Sequence, residues 1–161
     1  MKKIFIIASL VLSAAGLQAE EHGFQASLTP DIAMHPKTDQ INGLILNIWG
    51  ENPQSALALG FVNGSTGDSS GFTWSLFNYA DSYTGVAWGL ANYSTTSFTG
   101  WQGGMVNVAK EFHGLQWGFV NYSESLRGVQ LGFINIAKNN PWFNEFPDKL
   151  ATGFPFVNWS F

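Results

Sequence analysis

A unit of 14 to 15 residues repeats along this chain, most plainly as HGLQWGFVNYSESL (113 to 126) followed directly by RGVQLGFINIAKNN (127 to 140). A short period of this kind fixes architecture before any other feature does, because each copy must adopt the same local structure and pack against its neighbours. An asparagine marks the period at Asn63, Asn78, Asn92, Asn107, Asn121 and Asn135, with spacings of 15, 14, 15, 14 and 14, and returns as Asn158 in FVNWS. No acid, base or nucleophile holds a fixed place in the unit. The repeat is therefore a building module.

Within GVQLGFINIA the side chains alternate with period two, which is the spacing of a strand and not of a helix. Two glycines in every unit weigh against a helix as well, at about 1 kcal/mol each relative to Ala. Polar stretches such as NYADSYTG and NYSTTSFTG read as the connections. The sequence thus predicts eight strands near 41 to 50, 56 to 64, 71 to 80, 85 to 94, 100 to 109, 114 to 123, 128 to 137 and 152 to 161. The first is degenerate, since Asn47 falls three places early. The last follows an irregular insertion, KNNPWFNEFPDKL.

Strict alternation puts Val129, Leu131, Phe133, Asn135 and Ala137 on one face and Gly128, Gln130, Gly132, Ile134 and Ile136 on the other. Neither face carries the charge of an ordinary solvated surface: charged residues are 11% of the chain and aromatics 16%, whereas soluble domains are about a quarter charged. Two closed arrangements satisfy such strands. One is an up-and-down antiparallel meander of about eight strands closed as a small barrel, whose membrane-spanning strands need about 9 to 11 residues. The other is a parallel β-solenoid, which would have to bend sharply inside each apparent ten-residue strand. The reading favours the barrel, with Gln102, Gln116 and Gln130 lining a narrow filled interior.

At GVQLGFINIA, GLQWGFVNYS, GVAWGLANYS and FPFVNWSF the chain resembles a group of exported bacterial surface-repeat proteins of unknown function, whose repeats read Gly-Leu-Gln-Leu-Gly-Leu-Val-Asn-Tyr-Ala. The likeness covers roughly residues 41 to 161. It implies a place in the cell envelope and a repeat architecture, and it transfers no catalytic residue.

Export is also written at the N-terminus. Lys2 and Lys3, an apolar run from Ile4 to Leu12 and small residues before Ala19 make residues 1 to 19 a signal peptide, with Leu17 an unusual −3 residue. The run is shorter than the roughly 20 residues of a spanning helix. Residues 20 to 40, with Pro30, Pro36 and a candidate short strand FQASL, read as an irregular lead-in to one repeat domain over 41 to 161. Without Lys2 and Lys3, five basic residues face eleven acidic ones; nucleic acid, which demands clustered Lys and Arg, is not an expected partner. The absence of cysteine excludes disulfides and thiolate chemistry.

Candidate chemistry is sparse. Ser69 in GDSSG matches the Gly-x-Ser-x-Gly nucleophile pattern, but without the strand-turn-helix context that the pattern requires. His22, His35 and His113 are scattered along the chain, and no pair has metal-ligand spacing. Glu51, Asp68, Asp81, Glu111 and Glu124 each fall in a different connection and read as solvated loop charge. No enzyme, metal or cofactor is expected. The repeat glycines Gly60, Gly89, Gly104, Gly118 and Gly132 read as structural, and each repeat Asn as an amide bonding to neighbouring backbone on the bulky apolar face. Trp74, Trp88, Trp101, Trp117 and Trp142 are the candidate ligand or membrane-interface aromatics. Trp101 stands two places early, with Gly103 in the vacated site, which keeps bulk on one face.

The expected protein is an exported, non-enzymatic envelope component of the outer membrane or cell surface, most simply a barrel in contact with membrane lipid. Phe161, with Trp159 and Val157 at alternate positions, resembles a barrel-insertion signature, which Pro155 interrupts. The alternatives are a soluble periplasmic or surface repeat module that binds an apolar or carbohydrate ligand, and a lipid-modifying barrel enzyme built on His113.

Overall fold

The computed structural model describes residues 19–161 and contains six strands: β1 (Glu21–Thr29), β2 (Ile32–Ala33), β3 (Gln40–Asn52), β4 (Ser55–Trp88), β5 (Ala91–Ala137) and β6 (Gly153–Ser160). The expected leader falls, apart from Ala19, outside these residues. β4 is 34 residues long and β5 is 47. At about 3.3 Å per residue, a straight strand of 47 residues would extend about 155 Å. Both strands are instead wound into stacked coils.

The ladders run parallel: β1 pairs with β3, β3 with β4 and β4 with β5, in registers such as Asn78↔Asn92 and Gly85↔Gly100. The fold is a parallel β-solenoid and not the antiparallel barrel that the strand pattern favoured. The reason lies at Gly-Phe-Val. Exposure alternates along Leu115–Phe119, breaks at Val120, which like Phe119 is not buried, and resumes with Asn121 inside; it breaks again at Glu124 and Ser125. Each coil therefore bends twice, once at an apolar corner and once at a polar one. The first bend sits in the middle of what alternation presents as a single strand.

Bending also reverses the expected faces. Asn121 and Gln116 are fully buried, while Trp117, Phe119 and Phe133 are half exposed. The apolar core comes largely from segments that read as polar connections: Tyr83, Phe98, Phe112 and Leu126, one per coil, stack beside Ala80, Ala109 and Ala137. Ring centroids lie 5.5 Å apart for Tyr83–Phe98 and 5.8 Å for Phe98–Phe112. Burial raises the pKa of the Tyr83 hydroxyl.

Both ends are closed by departures from the repeat. At the start, residues 21 to 29 form a partial coil paired with β3, and the segment after it folds back: Met34 N donates to Ala26 O, and Gln25 Nε2 donates to His35 O and Asn52 Oδ1. At the end, β6 runs antiparallel to the last coil, with its register broken between Gly132 and Asn135, where Pro155 lies. Pro155 has no N–H to give, so a bulge is where it fits. Phe161 is exposed and its N–H donates to Asp148 O; the terminal strand caps the stack and closes no barrel.

The glycines follow from coil stacking. A Cβ on Gly118 would collide with Gly104 O and with the Asn107 amide, and one on Gly132 with Gly118 O and the Asn121 amide. Gly114 and Gly128 hold φ of 131° and 139°, a region that side chains rarely adopt. Gly118→Val or Gly132→Val is expected to cost about 3 kcal/mol or more, at the upper end of overpacking or above it. Exposed His113→Ala is expected to leave denaturant stability within about 0.5 kcal/mol of wild type. Equal midpoints for the three variants would contradict this packing.

Candidate functional site

The repeat asparagines form a ladder inside the apolar bend. Asn78 Nδ2 donates to Asn92 Oδ1 at 2.9 Å, and Asn92 to Asn107, Asn107 to Asn121 and Asn121 to Asn135 each at 2.8 Å. The second amide hydrogen of each residue goes to a carbonyl at the bend of the next coil: Trp88 O, Gly103 O, Trp117 O and Leu131 O, for Asn78, Asn92, Asn107 and Asn121 in turn. Asn135 ends the run on Phe154 O. Each amide is thus a bracket that ties one coil to the next and adds a hydrogen bond to a carbonyl beside the bend.

Asn47 explains its own displacement. Gly50 is the backbone partner of Asn63 and has no side chain; the Asn47 amide fills that space and donates to Asn63 Oδ1 at 2.9 Å. The ladder is weaker one coil later. Asn63 Nδ2 turns to Ser65 Oγ at 3.4 Å, and Asn78 Oδ1 accepts from the Thr73 hydroxyl instead.

A second ladder runs through the glutamines. Gln130 donates to Gln116 and Gln116 to Gln102, each at 2.8 Å, and Ala87 is the neighbour at which the series stops. These side chains fill the solenoid core; they line no barrel interior.

The outside of the same coils is apolar. Along one side run Leu59, Trp74, Trp88, Gly103, Trp117 and Leu131. Along the bend run the pairs Leu76–Phe77, Leu90–Ala91, Met105–Val106, Phe119–Val120 and Phe133–Ile134. Tyr79, Tyr93, Val108, Tyr122 and Ile136 occupy the other side. Trp88, Trp101 and Trp117 form a cluster: Trp88 meets the other two edge-on at 5.2 and 6.1 Å, and Trp101 lies parallel to Trp117 at 6.3 Å. The Trp88 ring covers Gly103, so the early Trp101 and the vacated site are one packing exchange. Phe119 stacks on Phe133 at 5.1 Å, and Phe133 meets Phe156 edge-on. At the N-terminal end the surface opens into a groove of about 590 Å³ between Leu28, Ile32, Met34, Leu46, Ile48 and Leu59. Trp142 is exposed on the C-terminal insertion, beside Phe143 and away from the Trp cluster.

Charge is collected at the opposite corner, where Asp68, Asp81, Lys110, Glu111, Glu124, Arg127 and Lys138 are all exposed. Glu51 is the exception. It lies in the tyrosine column, where the Tyr79 hydroxyl donates to it at 2.7 Å and accepts from Trp49 Nε1 at 3.2 Å. Burial, followed by the bond to Glu51, pushes the Tyr79 pKa up to about 12.

The candidate catalytic groups stay apart, with one pairing that the sequence did not show. Ser69 is buried, its hydroxyl donating to Thr66 O and accepting from Gln54 N; it is a structural brace between coils and not an exposed turn residue. His113 is exposed near Arg127 and Lys149. His22 and His35 do meet, stacked at 3.6 Å, with His22 Nε2 3.1 Å from Asp39 Oδ2. Their spacing of 13 residues gave no sign of this, because the fold-back over the first coil brings them together. Among the described residues, no three His, Asp or Glu side chains are grouped to hold a metal ion, and no helix is long and apolar enough to cross a membrane.

Comparison with known protein families, curated proteins and solved structures found no match to this chain.

Two variants test the bracket. Asn121→Ala leaves Asn107 Nδ2, Asn135 Oδ1 and Leu131 O each short of a partner, at about 1 to 3 kcal/mol for each orphaned group. Asn63→Ala strands chiefly the Asn47 amide and is expected to cost about a third as much by denaturant unfolding. Alkaline titration tests Tyr79. Its folded pKa is raised, so its contribution to stability is complete below the unfolded value near 10 and is lost as pH rises through about 12. Tyr79→Phe is expected to flatten stability over that window relative to wild type.

Proposed function

We propose that the protein is a non-enzymatic, exported cell-envelope module that binds an apolar partner through the outer surface of its solenoid. The observation that carries this reading is the inversion of the coil. The amides are inside, where those from Asn78 to Asn135 are paired along a ladder, while Trp74, Trp117, Phe119 and Phe133 lie outside and at least half exposed. Contiguous apolar surface of this extent marks a binding face in a folded protein.

The site favours an apolar ligand over a carbohydrate. A sugar held against aromatic rings also needs polar groups converging beside them. Beside Trp88, Trp101 and Trp117 lie Val86, Leu115, Val129, Leu131 and the glycines Gly103 and Gly104, and the outward polar side chains Thr84, Thr99 and His113 stand only at one edge of that row, two residues before Val86, Trp101 and Leu115.

Binding of an environment-sensitive apolar dye by the native protein tests the reading. Dye fluorescence is expected to rise on mixing, and Trp74→Ser with Trp117→Ser is expected to remove most of that rise without changing the denaturation midpoint. A native protein that leaves the dye unchanged would overturn it.

A further inference from the structure

We propose that the apolar partner is a lipid bilayer, on which the solenoid lies as a monotopic module with its Gly-Phe-Val bends in the acyl region and its charged corner in water. The proposal rests on the apolar-partner reading and adds the identity of the partner.

The first argument is the state of the backbone at the bend. A chain in contact with hydrocarbon must satisfy its N–H and C=O groups internally, because no water is there to do so. A bend in water has no such need. Here backbone bonding continues through the bends, since β5 is unbroken across Met105, Phe119 and Phe133 and Gly89 N donates to Gly103 O, and each coil from Trp88 onward adds a buried amide hydrogen to a carbonyl beside its bend: Asn78 on Trp88 O, Asn92 on Gly103 O, Asn107 on Trp117 O and Asn121 on Leu131 O. The side chains at the same bends are Leu90, Met105, Phe119 and Phe133, all about half exposed. Apolar side chains over a saturated backbone form a corner suited to a non-aqueous medium.

The second argument is the distribution of charge. Between Phe61 and Ile134 the bend pairs include no ionisable residue, whereas every charge of the regular coils after Asp68 lies at the opposite corner. Tyr93 and Tyr122 stand two residues beyond Ala91 and Val120, about 7 Å along the strand. That spacing matches the roughly 5 to 10 Å to which interfacial elements sink, and it places ring hydroxyls at headgroup depth, where such aromatics are favoured. With five basic residues against eleven acidic ones beyond Lys2 and Lys3, attraction to anionic headgroups does not drive the seating. Burial of apolar surface does.

The third argument weighs a second copy of the chain as the occupant. Two adjacent outward residues make each bend convex. The ridge from Asn63 to Asn135 crosses five coil intervals, about 24 Å at roughly 4.8 Å each. Two convex ridges would touch along a strip about 10 Å wide, covering on the order of 250 Å² per copy, where a stable interface needs about 800 Å². A fluid bilayer covers the ridge and both flanking columns together.

The test is flotation of the protein with phosphatidylcholine vesicles at low and high salt. It is expected to float equally at both, with Trp fluorescence quenched by lipids brominated on the acyl chain. Each of Phe119→Ser and Phe133→Ser is expected to weaken flotation about tenfold or more, and Glu124→Ser to leave it unchanged; circular dichroism confirms that the variants keep their strands. Flotation only with anionic vesicles and only at low salt would overturn the proposal. A protein that binds the apolar dye but never floats would overturn the membrane seat and leave the apolar-partner reading standing; one that dimerises through Phe119 and stays off vesicles would give the ridge to a second copy. Failure to bind either dye or vesicles would remove both readings.

Discussion

Stacking of one asparagine amide on the next is the interaction on which the coil depends. A coil of 14 to 15 residues has room for only a few inward side chains, too few to make an oily core of ordinary depth. At its bend, meanwhile, backbone carbonyls such as Trp117 O and Leu131 O lie within reach of an inward side chain of the preceding coil. An amide of Asn length answers both conditions, since it fills the narrow interior and has two N–H groups for a neighbouring Asn and a neighbouring carbonyl. Buried polar groups are tolerated when they are paired. The Asn78-to-Asn135 series pairs both hydrogens of each amide.

Other features follow from that bracket. Glycine stands at Gly104, Gly118 and Gly132 because the preceding coil's Asn amide and glycine carbonyl occupy the place of a Cβ. Bulky side chains are pushed outward at the bend because the interior is taken. Apolar packing is displaced to the other corner, where Tyr83, Phe98, Phe112 and Leu126 stack. The exposed Trp and Phe columns are thus the counterpart of a polar interior. They are also the surface on which the proposed binding rests, so fold and function share one cause.

Some of this was legible in the sequence, and the missing part has a definite physical origin. The period and the all-β content could be read from residue spacing; the expected bonding of each Asn to neighbouring backbone is seen from Asn78 onward, whereas Asn63 turns to Ser65 Oγ. Winding direction could not. Period-two alternation is the same in an antiparallel hairpin and in one side of a coil, and the usual signs of a bend, a proline or a run of polar residues, are absent from Gly-Phe-Val, where the strand continues and Asn braces the bend from inside. Once the bend is missed, Asn135 and Phe133 fall on the same face, and inside is taken for outside. The stacked His22 and His35 were hidden for another reason: they lie in the fold-back over the first coil, where the repeat gives no guide.

Cysteine cross-linking measures the winding directly, because the chain has no cysteine of its own. Thr84 and Thr99 are exposed residues paired across parallel neighbouring coils. The Cα separation of adjacent strands falls within the 4.4 to 6.8 Å range that a disulfide bridges. In an antiparallel meander of the same segments, Thr84 would instead lie opposite Lys110. The solenoid predicts rapid oxidation of a Thr84→Cys, Thr99→Cys protein to an intramolecular disulfide and none for Thr84→Cys, Lys110→Cys; the reverse result would contradict the parallel coil and the inverted packing that depends on it.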